Sequence, residues 1–328
     1  MILLESRDKH IWNIEHKVIA IIKEATFDND SKIIIDMNNE GPCLRSCNFY
    51  NILDDISQTF NIDKNRFIIQ TSNVEEYHDE YNIEIQNNIW IDHCKKIQNN
   101  VDLNKSFSYA VGCFIGKPTW NRLVLLAWLD KFYGDQTLLS CHYNNEAEAQ
   151  KSALQLSEIM HICPDEINTS VDFLKTCPRK ITTEFVDYTT KVDFNYIISM
   201  ISSISRSSYH MIFSELVCET YYSGLTFFPT EKTFRPIMQL TPTITFGPQG
   251  FLSNMQRCGF KTFSNYWDES YDDLQDYERI QAIQSVLKKL FLLDHKELTD
   301  MYADMLPILI HNKNRLLTMQ PEELKLVG

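Results

Sequence analysis

The sequence predicts an α/β protein built from two successive units of parallel β-sheet and helix. Short apolar runs bounded by Asn, Asp, Gly and Pro alternate with amphipathic stretches, which is the pattern of βαβ units. This pattern starts twice, near residue 32 and again near residue 106. The chain has 328 residues, of which 44% are hydrophobic, and this is enough material for two cores.

The first unit is predicted over residues 1–104. Residues 1–25 carry an apolar stripe with helical spacing, and a short apolar run over 32–37 follows. A helix predicted over 48–60 leads to a second apolar run over 66–70. Continuous apolar runs between turns are typical of strands buried in a parallel sheet. The order strand, loop, helix, strand therefore predicts a doubly wound, Rossmann-like unit.

The second unit is predicted over residues 105–328, and it ends in long amphipathic helices. Its apolar runs are again bounded by turns, such as Gly247-Pro248. The predicted elements are strands over 106–113, 211–218 and 243–246, and helices over 122–132, 230–239, 251–257, 275–293 and 298–317.

Composition narrows the class of protein. The formal net charge is −13 and both halves are acidic, so no basic lobe is available to bind nucleic acid through bulk charge. A local basic cleft remains open, because net charge says little about one groove. No apolar run reaches about 18 residues, and the start MILLESRDKHIW is too charged for a signal peptide. We expect a soluble cytoplasmic protein without a membrane span, from a microbe or from a virus that infects one.

The cysteines and acidic groups predict no metal site. Nine cysteines in a chain without a secretory signal are expected to be reduced thiols. Cys43 and Cys47 lie four residues apart, but no second Cys/His pair has zinc spacing. Asp28-Asn29-Asp30 precedes its strand instead of following it, so it is interpreted as a turn, and the acidic segment 268–273 is interpreted as solvated.

The segment that follows the predicted strand over 211–218 contains the candidate nucleotide-binding residues. The chain has no glycine-rich phosphate loop, so a nucleotide would be held by helix N-termini together with Arg and Lys. Thr230 is predicted to cap a helix whose first turn contains Glu231 and Lys232. A cation at a helix N-terminus is unfavourable by about 0.3–1 kcal/mol unless an anion binds there. A diphosphate would supply that anion, and a surface helix with ordinary charges is the alternative.

Three landmarks resemble the α-1,3-fucosyltransferase family. Glu219-Thr220 followed by Phe228-Pro-Thr-Glu-Lys232 resembles the donor motif of that family. The segment from Tyr109-Ala-Val-Gly-Cys113 through Arg122 to Phe132 resembles the start of its nucleotide-binding domain. Glu40-Gly41-Pro42 is similar to its Glu-Ser-Pro loop. Related glycosyltransferase-like proteins of bacteria and their viruses are similar to the segment 259–272.

The resemblance implies a fold and a set of roles. It implies two Rossmann-like domains in the GT-B arrangement, with a sugar nucleotide held mainly by the second domain. Arg122 and Lys232 would bind the diphosphate, and Glu231 would bind the ribose. Glu219 would face the donor sugar, and Glu40 would be the catalytic base that removes the acceptor proton.

Other residues complete the predicted site. Lys117 is a candidate to assist at the donor, while Asn38 and Asn73 are candidates for acceptor binding because each ends a predicted strand. Glu40 has an equally weighted alternative role as a cap of the following helix. Arg235 is expected to be a surface partner for a carboxylate.

The sequence thus predicts a glycosyltransferase that moves a sugar, with inversion, from a nucleotide sugar to an acceptor hydroxyl. The donor is a UDP- or GDP-linked co-substrate, and no further cofactor is expected. The acceptor is either a glycan or a hydroxymethylated base in DNA. The alternative from a different class is a non-catalytic protein of the same fold that binds nucleotide sugars or glycans. The sequence does not indicate an oligomeric state.

Overall fold

The computed structural model describes residues 2–5, 32–37, 41–96, 103, 105–116, 119–141, 164–179 and 208–327. Within these residues the chain is an α/β structure with two parallel sheets. The strands are β1 (Ile2–Glu5), β2 (Ile33–Met37), β3 (Phe67–Thr71), β4 (Asn82–Ile85), β5 (Tyr109–Ile115), β6 (Thr137–Cys141), β7 (Ile212–Cys218) and β8 (Thr243–Phe246). The α-helices are α1 (Phe49–Phe60), α2 (Ile89–Lys95), α3 (Trp120–Tyr133), α4 (Pro164–Leu174), α5 (Glu231–Met238), α6 (Phe251–Arg257), α7 (Asp276–Leu290) and α8 (His295–Thr318).

The first sheet, called the N-terminal sheet, has the strand order β1-β2-β3-β4, with every neighbouring pair parallel. Residues of β2 and β3 alternate between buried and half-buried positions, as expected when one face of a strand packs on a core. The buried face of β2, with Ile33 and Ile35, packs with Leu53 of α1. The predicted strands over 32–37 and 66–70 and the predicted helix over 48–60 are thereby confirmed.

The predicted helix over residues 1–25 is wrong at its start. Residues 2–5 form β1, which pairs with β2 from Ile2 opposite Ile33 to Glu5 opposite Asp36. Four residues of apolar sequence fit either a helix turn or a strand, and pairing with an available strand edge decides between them. Residues 6–25 lie outside the described part of the chain.

The second sheet, called the C-terminal sheet, has the strand order β6-β5-β7-β8, again with every pair parallel. β7 is buried along its whole length and β5 along nearly all of it, as expected for central strands covered on both faces. α3, α7 and α8 supply most of the helical side chains of the surrounding core. The strands and helices predicted for residues 106–317 are present, with boundaries shifted by a few residues.

Four elements were not predicted: β4, α2, β6 and α4. No residue of β4 is buried, so its Asn-Ile-Glu-Ile sequence lacks the apolar run that marks the other strands. Only two of the seven residues of α2, Ile91 and Cys94, are buried, so its apolar pattern is weaker than that of the equally short α6.

A shared core joins the two sheets. Ile91 and Cys94 of α2 pack in one cluster with Phe234 of α5, Leu316 of α8 and the nearby Phe227. All described strands of the N-terminal sheet precede residue 104 and all those of the C-terminal sheet follow it. Because α2 packs on helices of the second half, the domain boundary near residue 104 stays a prediction.

Two sequence-based expectations concern the chain as a whole. Among the residues that the structure describes, no helix has the length and apolar character needed to cross a membrane. The eight cysteines within the described ranges are free thiols.

Candidate functional site

The strand order of the C-terminal sheet contains a reversal between β5 and β7. From β5 the chain crosses to β6 on one side, whereas β7 lies on the other side of β5. The segments that leave the carboxyl ends of β5 and β7 therefore run in opposite directions. In open α/β sheets, ligands bind at the carboxyl ends of the strands where the order reverses. The predicted donor residues that the structure describes lie in these two segments. Together with the residues that they contact, they form a group that we call the switch-point cluster: Arg122, Glu219, Thr220, Thr230, Glu231, Lys232 and Thr233.

Glu219, the first residue after β7, is the hub of the switch-point cluster. Its side chain is 1% exposed and accepts four hydrogen bonds. The donors are the Thr220 amide (3.1 Å), the Thr230 amide (3.0 Å) and hydroxyl (2.7 Å), and the Thr233 hydroxyl (2.6 Å). This carboxylate thus binds the start of α5 to the end of β7, and in this structure it faces protein groups.

Thr230 caps α5 as the sequence predicts. Its backbone is extended, and its hydroxyl oxygen accepts a hydrogen bond from the Lys232 amide at 3.3 Å. Because the same hydroxyl donates to Glu219, its orientation is fixed from both sides. The amides of Lys232, Thr233 and Phe234 all donate to Thr230, so the first turn of α5 has a fixed orientation.

Lys232 and Glu231 form an ion pair at the N-terminus of α5. The Lys232 ammonium lies 2.7 Å from the Glu231 carboxylate and 3.2 Å from the Thr220 hydroxyl oxygen, and the two side chains are 17% and 19% exposed. Burial works to raise the pKa of Glu231, but the charges of Lys232 and Arg235 and the Lys232 hydrogen bond lower it to about 2. The unfavourable position of Lys232 is thus already compensated within the chain, so an external anion is not required to explain it.

Arg122 connects the two divergent segments. It lies in the first turn of α3, is 6% exposed, and donates from Nη2 to the carbonyl oxygen of Glu219 at 2.7 Å. The predicted position of Arg122 at a helix start is confirmed. Contact with a phosphate stays a prediction.

A buried ion pair beneath the cluster was not predicted. Arg235 of α5 donates to the Glu215 carboxylate of β7 at 2.6 Å, and both are nearly inaccessible to solvent. Tyr209 hydrogen-bonds to both groups. Burial raises the pKa of Glu215, although the positive charge of Arg235 opposes this shift. The expectation that Arg235 is a surface residue is therefore wrong, and the signal for it was a glutamate within a buried apolar strand, which requires a partner.

Asn73 occupies a different environment from the one predicted. It is fully buried, and its side-chain amide donates to the carbonyl oxygens of Pro42 (3.3 Å) and Leu225 (3.2 Å). Its oxygen accepts from the Phe227 amide at 2.9 Å. These contacts connect loops from both halves of the chain. Acceptor binding by Asn73 stays a prediction, and the contacts support a positioning role.

The loop after β2 meets the segment that leads to α5. The Thr226 hydroxyl donates to the Gly41 carbonyl oxygen, and a Cβ atom at Gly41 would lie 2.4 Å from Cβ of Phe228. Gly224, with φ of +78°, approaches Cys43 in the same way. Three predicted site residues, Asn38, Glu40 and Lys117, lie outside the described residues.

The acidic segment 268–273, after α6, is hydrogen-bonded to the start of that helix. The Asp272 carboxylate accepts hydrogen bonds from the amides of Leu252 (2.9 Å) and Ser253 (3.1 Å) at the start of α6. Within the described ranges, no group of three or more His, Cys, Asp or Glu residues is arranged to bind a metal ion. Asp28-Asn29-Asp30 lies outside those ranges, and the expectation of no metal stays a prediction.

Comparison of this chain with protein-family models, with curated proteins and with solved structures gives no match. The chain is therefore defined at this point by its class, an α/β protein with two parallel sheets. The resemblance to the α-1,3-fucosyltransferases stays a prediction.

Proposed function

We propose that this protein is a nucleotide-sugar-dependent glycosyltransferase whose C-terminal sheet holds the donor. The observation that supports this most is the switch-point cluster, because it combines a capped helix N-terminus, a partly exposed lysine and an ionised glutamate at a strand-order reversal. In this proposal the two sheets correspond to the two Rossmann-like domains of the GT-B arrangement.

The donor would be recognised through its diphosphate and its ribose. The Lys232 ammonium and the backbone N–H groups at the start of α5 offer positive charge without a metal ion. Arg122 adds a guanidinium group next to this helix start. Glu231 is ionised at neutral pH, so it can accept hydrogen bonds from ribose hydroxyls. A diphosphate would compete with Glu231 for Lys232, which leaves that carboxylate available to the ribose.

The transfer step follows from these roles. The acceptor hydroxyl oxygen forms a bond to the anomeric carbon from the face opposite the diphosphate, and its proton passes to the carboxylate of Glu40. The bond from the anomeric carbon to the diphosphate oxygen breaks, and the nucleoside diphosphate leaves with the electron pair. Lys232 and Arg122 stabilise the charge of that leaving group. One observation supports Glu40 as the base. Gly41, which follows Glu40 in the sequence, contacts Phe228 and Thr226 in the segment that leads to α5.

One observation favours the second candidate, a non-catalytic protein that binds nucleotide sugars. The Glu219 carboxylate is 1% exposed and is used in four internal hydrogen bonds. In either function it acts as a positioning residue that holds the start of α5. The two candidates differ in turnover, and they share the donor site.

The first test is a thermal-shift screen of UDP-, GDP-, CMP- and dTDP-sugars. A ligand present at 100 times its dissociation constant adds about 2.7 kcal/mol to the unfolding free energy, which raises the midpoint measurably. We expect one donor to stabilise the wild type and to have no effect on Lys232→Ala.

Lys95→Ala is the matched control, because Lys95 has a similarly buried side chain, 19% exposed, and lies in α2 instead of at the start of α5. This control should retain the shift. If no sugar nucleotide stabilises the wild type, the donor site is refuted. If one does, product formation with glycan and hydroxymethylated-DNA acceptors separates the enzyme from the non-catalytic binder.

A further inference from the structure

A cavity of about 340 Å³ opens in the N-terminal half, away from the switch-point cluster in sequence. Its walls come from two segments: the one after β2, with Arg45 and Asn48, and the one after β3, with Tyr77 and His78. Both segments follow the carboxyl ends of neighbouring parallel strands, β2 and β3, in a sheet whose strand order does not reverse. The volume is within the range of small-molecule sites. We call this the loop cavity.

One wall of the loop cavity is an exposed aromatic ring that is held in place. Tyr77 is 60% exposed, so its ring is accessible to a ligand. The Arg45 guanidinium lies 4.0 Å from the centre of the Tyr77 ring and donates to the Tyr77 carbonyl oxygen at 2.6 Å. These contacts fix the ring while much of its surface stays accessible.

A second wall is a pair of rings, Tyr50 and His78, whose planes are tilted by 34° and whose polar atoms are hydrogen-bonded. The rings of Tyr50 and His78 lie 4.1 Å apart between centres, and the Tyr50 hydroxyl donates to the buried Glu76 carboxylate at 2.8 Å. The Glu80 amide donates to Nδ1 of His78 at 3.1 Å. Nδ1 is therefore an acceptor, so the neutral ring carries its proton on Nε2.

The charges and amides of the cavity select a neutral polar ligand. One cation, Arg45, and one anion, Asp79, line it together with the amides of Asn48 and Asn51. These opposite charges balance, as do the two cations and two anions of the switch-point cluster, so the loop cavity is distinguished by its aromatic and amide lining. Aromatic faces beside amide, carboxylate and imidazole groups match a sugar ring, which has an apolar face and many hydroxyl groups.

One wall residue of the loop cavity, Tyr50, is connected to the predicted donor side. Tyr50 donates to Glu76, which also accepts hydrogen bonds from the Leu44 amide (2.9 Å) and from Asn73 (3.3 Å). Asn73 in turn binds Leu225 and Phe227, in the segment that leads to α5. A chain of hydrogen bonds thus runs from the cavity wall to the segment that precedes α5.

We infer that the loop cavity binds a neutral sugar ring of the acceptor, so that the acceptor is a glycan. The role of this sugar as an acceptor rests on the proposed function. Sugar binding by the loop cavity is tested separately, without a donor. Specific DNA contacts are mainly to phosphates. The only cation among the cavity residues, Arg45, is already bound to Tyr77, so the cavity fits a glycan better than a DNA strand.

Saturation-transfer NMR on the full chain tests this directly, with lactose, N-acetyllactosamine, maltose, cellobiose and mannobiose as probes and no nucleotide present. We expect at least one disaccharide to bind the wild type, and Tyr77→Ala to weaken its affinity by about fivefold to tenfold. Asn51→Ala should weaken it as well, because it removes a hydrogen-bonding amide. Phe132→Ala is the matched control, since Phe132 is 59% exposed and lies at the end of α3. It should leave affinity unchanged.

The outcomes distinguish this inference from the proposed function. If sugar nucleotides stabilise the protein in a Lys232-dependent way but no disaccharide binds, the loop cavity is not a sugar site and the donor proposal stands. Equal weakening by Tyr77→Ala and Phe132→Ala would also overturn the inference. So would binding of a hydroxymethylated DNA oligonucleotide that is lost in Tyr77→Ala. Disaccharide binding lost in Tyr77→Ala and retained in Lys232→Ala supports it, whatever the donor screen shows.

Discussion

The N-terminal and C-terminal sheets are built from the same number of described strands, all parallel, yet their strand orders differ. The N-terminal sheet adds strands in sequence order, β1-β2-β3-β4, while the C-terminal sheet reverses direction at β5. The reversal separates the segments after β5 and β7 and brings charged side chains to the sheet edge between them. Where the order does not reverse, the segments after β2 and β3 run side by side, and they form a cavity with aromatic walls.

The two regions also differ in what lies beneath their ligand-facing residues. In the helix and strand that carry the switch-point cluster, the buried Arg235–Glu215 pair joins α5 to β7. Behind the wall of the loop cavity, the buried Glu76 carboxylate accepts hydrogen bonds from a tyrosine hydroxyl, a main-chain amide and an asparagine. One region is thus supported by a buried ion pair and the other by a buried carboxylate with neutral partners, and three sets of substitutions test this difference.

The largest effect is expected at the buried pair. Arg235→Met leaves the Glu215 charge buried without its partner, which should lower the unfolding free energy by about 3–5 kcal/mol. Lys296→Met is the control, because the Lys296–Asp300 pair is 84% and 66% exposed and such pairs contribute about 0–1 kcal/mol. Urea unfolding of both variants measures the difference. Equal losses would show that the Glu215 pair is not specially important to the C-terminal sheet.

The second effect is a pair of opposite pH dependences. The pKa of Glu231 is lowered to about 2 from 4.5, so its ionisation stabilises the fold above pH 4.5, and this stabilisation is lost as the pH falls toward 2. The pKa of Glu76 is raised by burial, so its contribution is present below pH 4.5 and is lost as the pH rises. Glu231→Gln should therefore cost about 3 kcal/mol near pH 7 and much less near pH 3.

Glu76→Gln should behave in the opposite way. Its stability relative to the wild type should rise between pH 4 and pH 7, because the amide cannot ionise. Urea midpoints at several pH values measure both trends. Parallel pH trends in the two variants would contradict the assignment of a charged region and a neutral region.

The smallest effect compares two glycines that follow strands. Gly41→Ala places a Cβ atom 2.4 Å from Cβ of Phe228, and such overpacking costs about 1–3 kcal/mol. Gly116→Ala, after β5, meets no atom within 4 Å and should change stability by less than about 0.5 kcal/mol. Thermal unfolding of the two variants is the measurement. If Gly41→Ala unfolds at the same temperature as the wild type, the loop after β2 is not tightly packed against Phe228.

Several strands and the long helices could be predicted because their apolar patterns are complete within a few neighbouring residues. β2, β3, β7 and β8 are short apolar runs between turns, and Thr230 caps α5 through an interaction within three residues. β4 was missed because an edge strand with no buried residue has no apolar run. β1 was assigned to a helix because its pairing with β2 depends on residues some thirty positions away.

The candidate site divides in the same way. The grouping of Thr230, Glu231 and Lys232 is fixed by their neighbouring positions, and Glu219 was predicted to lie near them. That two main-chain amides and two hydroxyl groups of three threonines would enclose Glu219 was not predictable, because the closure depends on how α5 packs on β7. The loop cavity was missed for the same reason: Arg45 and Tyr77 are 32 residues apart and meet only in the folded chain.

Asn73 has a consequence for how this sequence can change over time. Its partners in the neighbouring loops are main-chain atoms of Pro42, Leu225 and Phe227, so the side chains there are free to vary without loss of those bonds. An insertion or deletion in either of these loops would instead move a carbonyl or amide group out of reach. Related sequences should therefore keep the lengths of these loops, also where exposed residues such as Leu225 differ.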